Sequence, residues 1–256
     1  MSTPIKGFIL YENKISAASE ITASEEAAGY EDDYLFDTDA RMTWRSQDDS
    51  GEKTILISFS SAEKINCIGF ANHNFSASGT FTLKYGATTA CTDGTFTLTM
   101  QNAISPFMSV FFVYLPGTEY TRQYWKIGMT EDTTENYLEI GTLYLGEYTE
   151  FDRMPKTWIS EDYNHVIESM EHAGGGETIY DMYSIRKLAM EWASLSSTEF
   201  DVLKDVYNTC KKSSPFFFCL QPSELDEALY VRTAGFVRSR GYDNRRNLKW
   251  EIKELL

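Results

Sequence analysis

Residues 55–85 read ILISFSSAEKINCIGFANHNFSASGTFTLKY, and this stretch decides the fold of the chain. It contains three runs of strand-forming residues, Ile55–Ser60, Lys64–Ala71 and Thr80–Tyr85, which short polar breaks separate. Ile, Phe and Thr are enriched in these runs and nearly alternate with polar residues, which is typical of strands that bury one face in a β-sandwich. The stretch therefore predicts the framework of a β-sandwich.

A polar segment, Asn72-His73-Asn74, follows the second of these runs and continues into Ser76-Ala77-Ser78-Gly79. Residues of these types build turns. They also provide the hydrogen-bonding groups that a sugar needs, and Trp44, Phe75 or Tyr34 could add an aromatic platform. The sequence leaves two interpretations open, a ligand-contact loop formed by Trp44, Asn72, His73 and Asn74 or a plain turn at the sandwich edge.

Further strand candidates recur at intervals of roughly 8–15 residues up to Gly146, which is the spacing of an all-β sandwich or jelly roll. The acidic segment Ser16–Asp33 is predicted to be irregular or weakly helical, and its run Glu31-Asp32-Asp33 is interpreted as a solvated loop and not as a calcium site. The pattern changes around Tyr148–Lys156. We therefore predict two domains, residues 1–150 and 151–256.

The second domain is predicted to be α+β, with one helix on a sheet. Ser196 and Glu199 have the spacing of a capping box, and the apolar residues after them recur on one helix face, which predicts a helix over Ser196–Lys211. Gly174-Gly175-Gly176 is interpreted as a hairpin loop because it joins two strand-like runs. The remaining strand candidates are Thr178–Trp192, Pro215–Leu220, Leu229–Ser239 and Asn247–Leu255.

The net charge of −15 is unevenly distributed along the chain. Residues 1–150 contain 21 Asp and Glu but 9 Lys and Arg, so double-stranded nucleic acid is not an expected partner. No apolar run approaches the length of a membrane span, and Met1–Leu10 lacks the apolar core of a secretion signal. None of the four cysteines forms a CxxC pair, and Cys67 and Cys219 are predicted to be buried thiols. We expect the chain to fold in a reducing cytoplasm.

The sequence contains no pattern that is typical of an enzyme. HExxH, GxSxG and phosphate-binding glycine motifs are absent from it, and its three histidines, His73, His165 and His172, lack metal-ligand spacing. We predict that the protein is not an enzyme and has no cofactor and no metal. A hydrolase of cell-wall glycans remains a minor alternative.

Basic residues are concentrated near the C-terminus, and four of them are candidate assembly contacts, Arg238, Arg240, Arg245 and Arg246. These side chains could face the acidic domain of a neighbouring copy and promote self-association. The alternative interpretation is a solvated basic face.

Residues 1–150 resemble the discoidin-like, galactose-binding-type jelly roll. The residues that carry this resemblance are Trp44-Arg45-Ser46, Ile55–Phe59, Ile65–Asn74, Tyr124–Ile127 and the closing strand Leu138–Gly146. The segments Arg153–Trp158, Leu188–Trp192 and Pro215–Phe218 accompany such a domain in proteins that are similar to distal or minor tail proteins of tailed bacteriophages. The second domain resembles the tail-tube or tail-hub fold.

This resemblance implies a structural virion protein at the phage tail tip, made in the host cytoplasm. It implies a homo-oligomeric ring, six-fold or three-fold, that docks tube, hub, fibre or baseplate proteins. The alternative is a carbohydrate-binding adhesin that recognises host surface glycans. Neither interpretation requires nucleic acid binding or membrane insertion.

Overall fold

The computed structural model describes residues 7–15, 19–76, 79–99, 103–104, 109–115, 120–131, 135–151, 153, 155–171, 177–220, 228–240 and 245–255. Within these ranges the chain forms mainly antiparallel β-structure with one α-helix, α1 (Ser197–Cys210), and a 3-10 helix (Asp32–Phe36). The strands are β1 (Gly7–Leu10), β2 (Glu20–Ala23), β3 (Trp44–Arg45), β4 (Lys53–Ile65), β5 (Cys67–His73), β6 (Thr80–Gly86), β7 (Gly94–Thr99), β8 (Ala103–Ile104), β9 (Ser109–Tyr114), β10 (Tyr120–Thr130), β11 (Glu139–Gly146), β12 (Thr149–Phe151), β13 (Thr157–Glu171), β14 (Glu177–Leu195), β15 (Phe216–Cys219), β16 (Leu229–Arg240) and β17 (Arg246–Glu254).

The chain divides into two compact units. The first comprises residues 1–150 together with Phe216–Tyr230, and the second comprises Phe151–Pro215 and Val231–Leu256. The expected domain of residues 1–150 therefore lacks one segment of the first unit. That segment contains β15, which pairs antiparallel with β1.

Two five-stranded sheets form the first unit, in the orders β2-β4-β10-β6-β7 and β3-β11-β5-β9-β8. Their apolar faces share one core, in which Phe70 stacks on Phe111 and on Phe81 at ring-centroid distances of 4.5 and 5.3 Å. Trp44 and Trp125 are fully buried in the same core. The predicted mainly β fold with a β-sandwich is confirmed.

Three local predictions in the first unit are wrong in detail. The polar break after Ser60 does not end the strand, because β4 stays paired with β10 as far as Ile65 across a bulge in β4 opposite Gln123. The chain turns at Asn66 instead, whose Oδ1 accepts a hydrogen bond from the amide of Tyr148 at 3.0 Å.

The segment predicted as polar loop begins inside a strand, since β5 runs through His73 and pairs with β11. The acidic segment predicted to be irregular or weakly helical contains β2, which pairs with β4, and leads into the 3-10 helix. Pairing with a neighbouring strand outweighs the weak local preference of both segments.

A sheet in the order β16-β17-β14-β13 and the helix α1 form the second unit. Ser196 caps the helix, with both hydrogen bonds of the predicted capping box to Glu199 present. The helix buries one apolar face, and its Tyr207 stacks on Phe236 of β16 at a centroid distance of 4.4 Å. The predicted helix is confirmed.

The predicted hairpin around Gly174-Gly175-Gly176 joins strands that do pair, because Glu171 lies opposite Glu177. The glycine triplet itself lies outside the described residues. Cys67 and Cys219 are buried thiols, as predicted. Among the described residues, no helix is long and apolar enough to cross a lipid bilayer.

Candidate functional site

Trp44, a predicted contact residue, points into the core. Its side chain is fully buried, and its indole Nε1–H donates to the carbonyl oxygen of Glu25 at 3.2 Å. Phe75 is buried as well. Neither ring presents an aromatic face at the surface in this structure.

Asn72 and His73 also use their side chains for internal contacts. Asn72 adopts a left-handed backbone conformation with φ of 55°, and its Nδ2 donates to the carbonyl oxygen of Ala40 at 2.7 Å. The Nδ1 of His73 accepts a hydrogen bond from the amide of Phe75 at 3.2 Å. Burial lowers the pKa of His73 to about 3, against a smaller opposing effect of a hydrogen bond to the backbone of Val110. His73 is therefore neutral at physiological pH.

Asn74 connects the predicted loop to the start of β11. Its Nδ2 donates to the carbonyl oxygen of Tyr137 at 2.7 Å, and its Oδ1 accepts from the amide of Glu139 at 2.9 Å. The side-chain amide thus completes hydrogen bonds that an adjacent strand would otherwise provide. The consequence is that Asn74 fixes the backbone positions of Tyr137 and Glu139.

These two residues belong to a half-exposed group, Tyr30, Arg45, Tyr137 and Glu139, which we term the tyrosine–arginine cluster. The Arg45 guanidinium carbon lies 3.9 Å from the ring centre of Tyr30 and 4.8 Å from that of Tyr137. Its Nε lies 3.1 Å from Oε2 of Glu139, and its Nη2 donates to Oε1 at 3.2 Å. The Arg45 and Glu139 side chains are 27% and 15% exposed, so solvent reaches both.

The alternation of strand side chains explains why Trp44 and Arg45 face opposite ways. In β3 these neighbours pair with Ile140 and Glu139 of β11, so that Trp44 enters the core beside Ile140 and Arg45 turns outward beside Glu139. The sequence shows the Trp-Arg pair directly. It does not show that Tyr30 and Tyr137 meet over Arg45, because both come from segments remote in sequence.

Chemically, the cluster combines a flat cation, two aromatic rings and a carboxylate. Arginine presents five N–H donors in a rigid plane and stacks on aromatic faces, and charged groups form the stronger hydrogen bonds. Tyrosine adds apolar area with a polar tip. Such a surface can contact a ligand that has both C–H faces and hydroxyl groups. Within the described part of the chain, no group of three or more His, Cys, Asp or Glu side chains is placed to hold a metal ion.

The four arginines predicted as assembly contacts lie on β16 and around the start of β17, and three of them contact helix α1 or the residues before it. The guanidinium carbons of Arg238 and Arg246 lie 5.7 and 4.8 Å from the ring centre of Phe200, and Arg246 also pairs with Asp201 at 3.1 Å. Arg245 donates to the carbonyl oxygen of Ser194 at 3.4 Å. Arg240 is exposed and lies opposite Arg246.

Neither a family model nor a curated protein sequence matches the chain. Similar solved structures include a mutant of chitosan-binding module 1 from the chitosanase/glucanase of Paenibacillus sp. IK-5, with 16% identity over 53% of this chain and 98% of that one, and a TM-score of 0.43. A pectin-binding carbohydrate-binding module has 16% identity, coverage of 53% and 93%, and a TM-score of 0.36. The lectin domain of lectinolysin complexed with Lewis B antigen has 9% identity, coverage of 50% and 91%, and a TM-score of 0.40. Similarities of this size do not carry a ligand over to this chain.

Proposed function

We propose that this protein is a non-catalytic binding protein whose β-sandwich unit binds a carbohydrate at the tyrosine–arginine cluster. The observation that carries the proposal is the placement of Arg45 between the rings of Tyr30 and Tyr137, with Glu139 bound to it on a solvent-accessible edge. Of the predicted contact residues, Asn74 supports this cluster by holding the backbone of Tyr137 and Glu139, whereas Asn72 and His73 hydrogen-bond to other parts of the backbone.

The chemistry of the cluster favours a neutral polyhydroxylated ligand. Tyrosine rings can contact the C–H faces of a sugar, while the guanidinium and carboxylate can donate to and accept from its hydroxyl groups. A polyanion is disfavoured because Glu139 already balances Arg45 and residues 1–150 carry a net charge of −12. A purely apolar ligand would leave the charged pair desolvated without new hydrogen bonds.

The test is a glycan array followed by calorimetric titration of the glycans that bind. We expect saturable binding that Tyr137→Ala weakens at least tenfold, about 1.4 kcal/mol, because it removes one of the two rings. Tyr85→Ala is the matched control, since Tyr85 is also half-buried but its ring contacts Phe96, Tyr120 and Trp125. Absence of saturable glycan binding, or equal affinity of the wild type and Tyr137→Ala, would exclude the proposal.

A second candidate function is self-assembly into a ring at the tip of a phage tail, with tube, hub and fibre proteins as neighbours. The observation that favours self-assembly is the long hairpin of β13 and β14, 15 and 19 residues, in which β13 ends the strand order of its sheet. A long edge strand offers a row of backbone groups for pairing with another chain. The virion location and the named partners remain predictions.

Hydrogen exchange at increasing protein concentration tests this second candidate. We expect the amides of β13 to become protected as copies associate, whereas those of β17, already paired on both sides, stay unchanged. Light scattering gives the number of copies. A strict monomer with concentration-independent exchange in β13 would rule out assembly through this edge.

A further inference from the structure

Three basic residues lie side by side on one face of the sheet in the second unit. Arg232 of β16 and Lys187 of β14 each pair in register with Lys253 of β17, the strand between them. Directly opposed residues on neighbouring strands face the same side, with Cβ atoms about 4.5–5.5 Å apart. We term these three residues the cation row.

The cation row lies on the sheet face opposite to helix α1. The neighbouring pair Leu188 and Ile252 faces the other way and is buried, and on that side Phe236 contacts Tyr207 of the helix. All three cations are half-buried. The row therefore concentrates positive charge in a partly desolvated position, where Coulomb interactions are stronger than in bulk water.

The carboxylate side chains that the structure describes near the row pair elsewhere. None of the three cations forms an ion pair within the described part of the chain, and Glu251, in the next row of the same face, pairs with Lys249 at 2.8 Å. The buried Nε of Arg232 finds no hydrogen-bond acceptor among the described residues. On the far side of Lys187, β13 places Asp162 in register with it. One acidic position thus adjoins a row of three cations.

The electrostatic consequence is visible at the central residue. Burial lowers the pKa of Lys253, and the charges of Arg232 and Lys187 lower it further. Like charges that are directly opposed across strands destabilise a sheet. The repulsion among the three cations becomes weaker when a bound anion supplies negative charge and hydrogen-bond acceptors.

We propose that the cation row is a binding site for an oxyanion of the phosphate or sulfate type. Such an anion can accept hydrogen bonds from the Arg232 guanidinium and from the ammonium groups of Lys253 and Lys187 together, and each of these bonds is charge-assisted. The free energy gained is largest at the central residue, which faces a cation on both sides. The site lies in the second unit and is independent of the proposed carbohydrate site.

Thermal unfolding in sodium phosphate or sodium sulfate, with sodium chloride at equal ionic strength as reference, tests the site. We expect both oxyanions to raise the Tm in a saturable manner, because a ligand that binds only the folded state stabilises it. Lys253→Met and Arg232→Gln should each weaken this binding at least tenfold. The double variant Lys249→Met, Glu251→Gln is the matched control on the same strand and face, because it removes an ion pair without leaving Glu251 unpaired, and its affinity should stay within twofold of the wild type.

A second readout separates a binding site from a structural role. Without oxyanion, Lys253→Met should raise the Tm, because it removes the repulsion within the row, whereas in saturating phosphate it should lower the Tm relative to the wild type. If Lys253 had only a structural role, the Lys253→Met substitution would change the Tm in the same direction with and without phosphate. Dextran sulfate distinguishes a free ion from an anionic group on a polymer. If it binds at concentrations where inorganic sulfate has no effect, and if Lys253→Met weakens that binding, the ligand is a polymer.

Two results would overturn the proposal. The first is a Tm that responds to phosphate and sulfate no more than to chloride, combined with equal binding of dextran sulfate by the wild type and the double variant Lys253→Met, Arg232→Gln. The second is an oxyanion response that the control variant Lys249→Met, Glu251→Gln loses as completely as Lys253→Met does. Either result would leave the glycan experiment on Tyr137 unaffected.

Discussion

The polar side chains at one end of the β-sandwich, those of Asn72, His73 and Asn74, form hydrogen bonds inside the protein. Each makes a hydrogen bond to backbone, to Ala40, to Phe75 and to Tyr137 respectively. A polar run in a sequence indicates that hydrogen bonds will form, but it does not say whether the partner is a ligand or the chain itself. At this end of the sandwich the described partners belong to the chain.

The buried imidazole of His73 predicts a pH dependence of stability. The folded state keeps His73 neutral down to a pKa of about 3, while an unfolded chain takes up the proton near 6.5. The contribution of His73 to the free energy of unfolding therefore does not change with pH above pH 6.5. As the pH falls from 6.5 toward 3, it decreases by about 1.4 kcal/mol per pH unit.

Urea unfolding at pH 7 and pH 5 measures this effect. The wild type should lose about 2 kcal/mol more than His73→Gln between these values, because only the wild type must keep an imidazole unprotonated in the core. Carboxylates titrate in both proteins and cancel in the difference. Parallel pH profiles for the two proteins would contradict the assignment.

At the scale of elements, β11 is held by two close backbone approaches. A Cβ on Gly141 would overlap the carbonyl oxygen of Ala40, and one on Gly146 would overlap that of Glu12. Both glycines belong to the closing-strand motif on which the jelly-roll resemblance rests. The motif thus has a steric reason, since only glycine lets these backbone segments come so near.

Alanine at either position tests the close approach. We expect Gly141→Ala and Gly146→Ala each to lower the free energy of unfolding by about 1–3 kcal/mol, the usual cost of overpacking. Gly235→Ala is the control, because its new Cβ meets the flexible end of Glu251 at 3.1 Å. Chemical denaturation should show a clearly smaller loss for the control, and equal losses in all three variants would speak against a specific backbone contact.

At the scale of the whole molecule, a segment late in the chain completes the first unit. Phe217 of β15 lies opposite Leu10, and its ring contacts those of Tyr144 and Tyr230 at centroid distances of 5.2 and 4.9 Å. A Cβ on Gly69 would approach the same ring to 3.0 Å. The stability of the first unit therefore depends on residues 216–230, which lie far beyond residue 150 in the sequence.

Phe217→Ala tests this dependence. We expect the opening free energy of the amides in β5 and β11 to fall by about 3–5 kcal/mol, the usual cost of truncating a buried phenylalanine. Phe236→Ala is the control, because Phe236 packs within the second unit against Tyr207 and Trp250. Hydrogen exchange resolves the two units, and unchanged protection of β5 and β11 in Phe217→Ala would contradict the prediction.

The sequence by itself determined the features that depend on neighbouring residues. The alternation in Ile55–Ser60 identified a strand, and the spacing of Ser196 and Glu199 identified the start of the helix, because burial patterns and caps are set within one element. The same local signals indicated that the fold is mainly β.

The tertiary structure alone decided which remote residues meet. It turned Trp44 inward and Arg45 outward between two tyrosines, and it aligned Lys187, Arg232 and Lys253 across three strands. The predicted arginine contacts show the same limit, since Arg246 pairs with Asp201 of the helix. The physical reason is that strand pairing between distant segments is set by the register of the whole sheet and the packing of its faces, and composition along the chain does not encode that register locally.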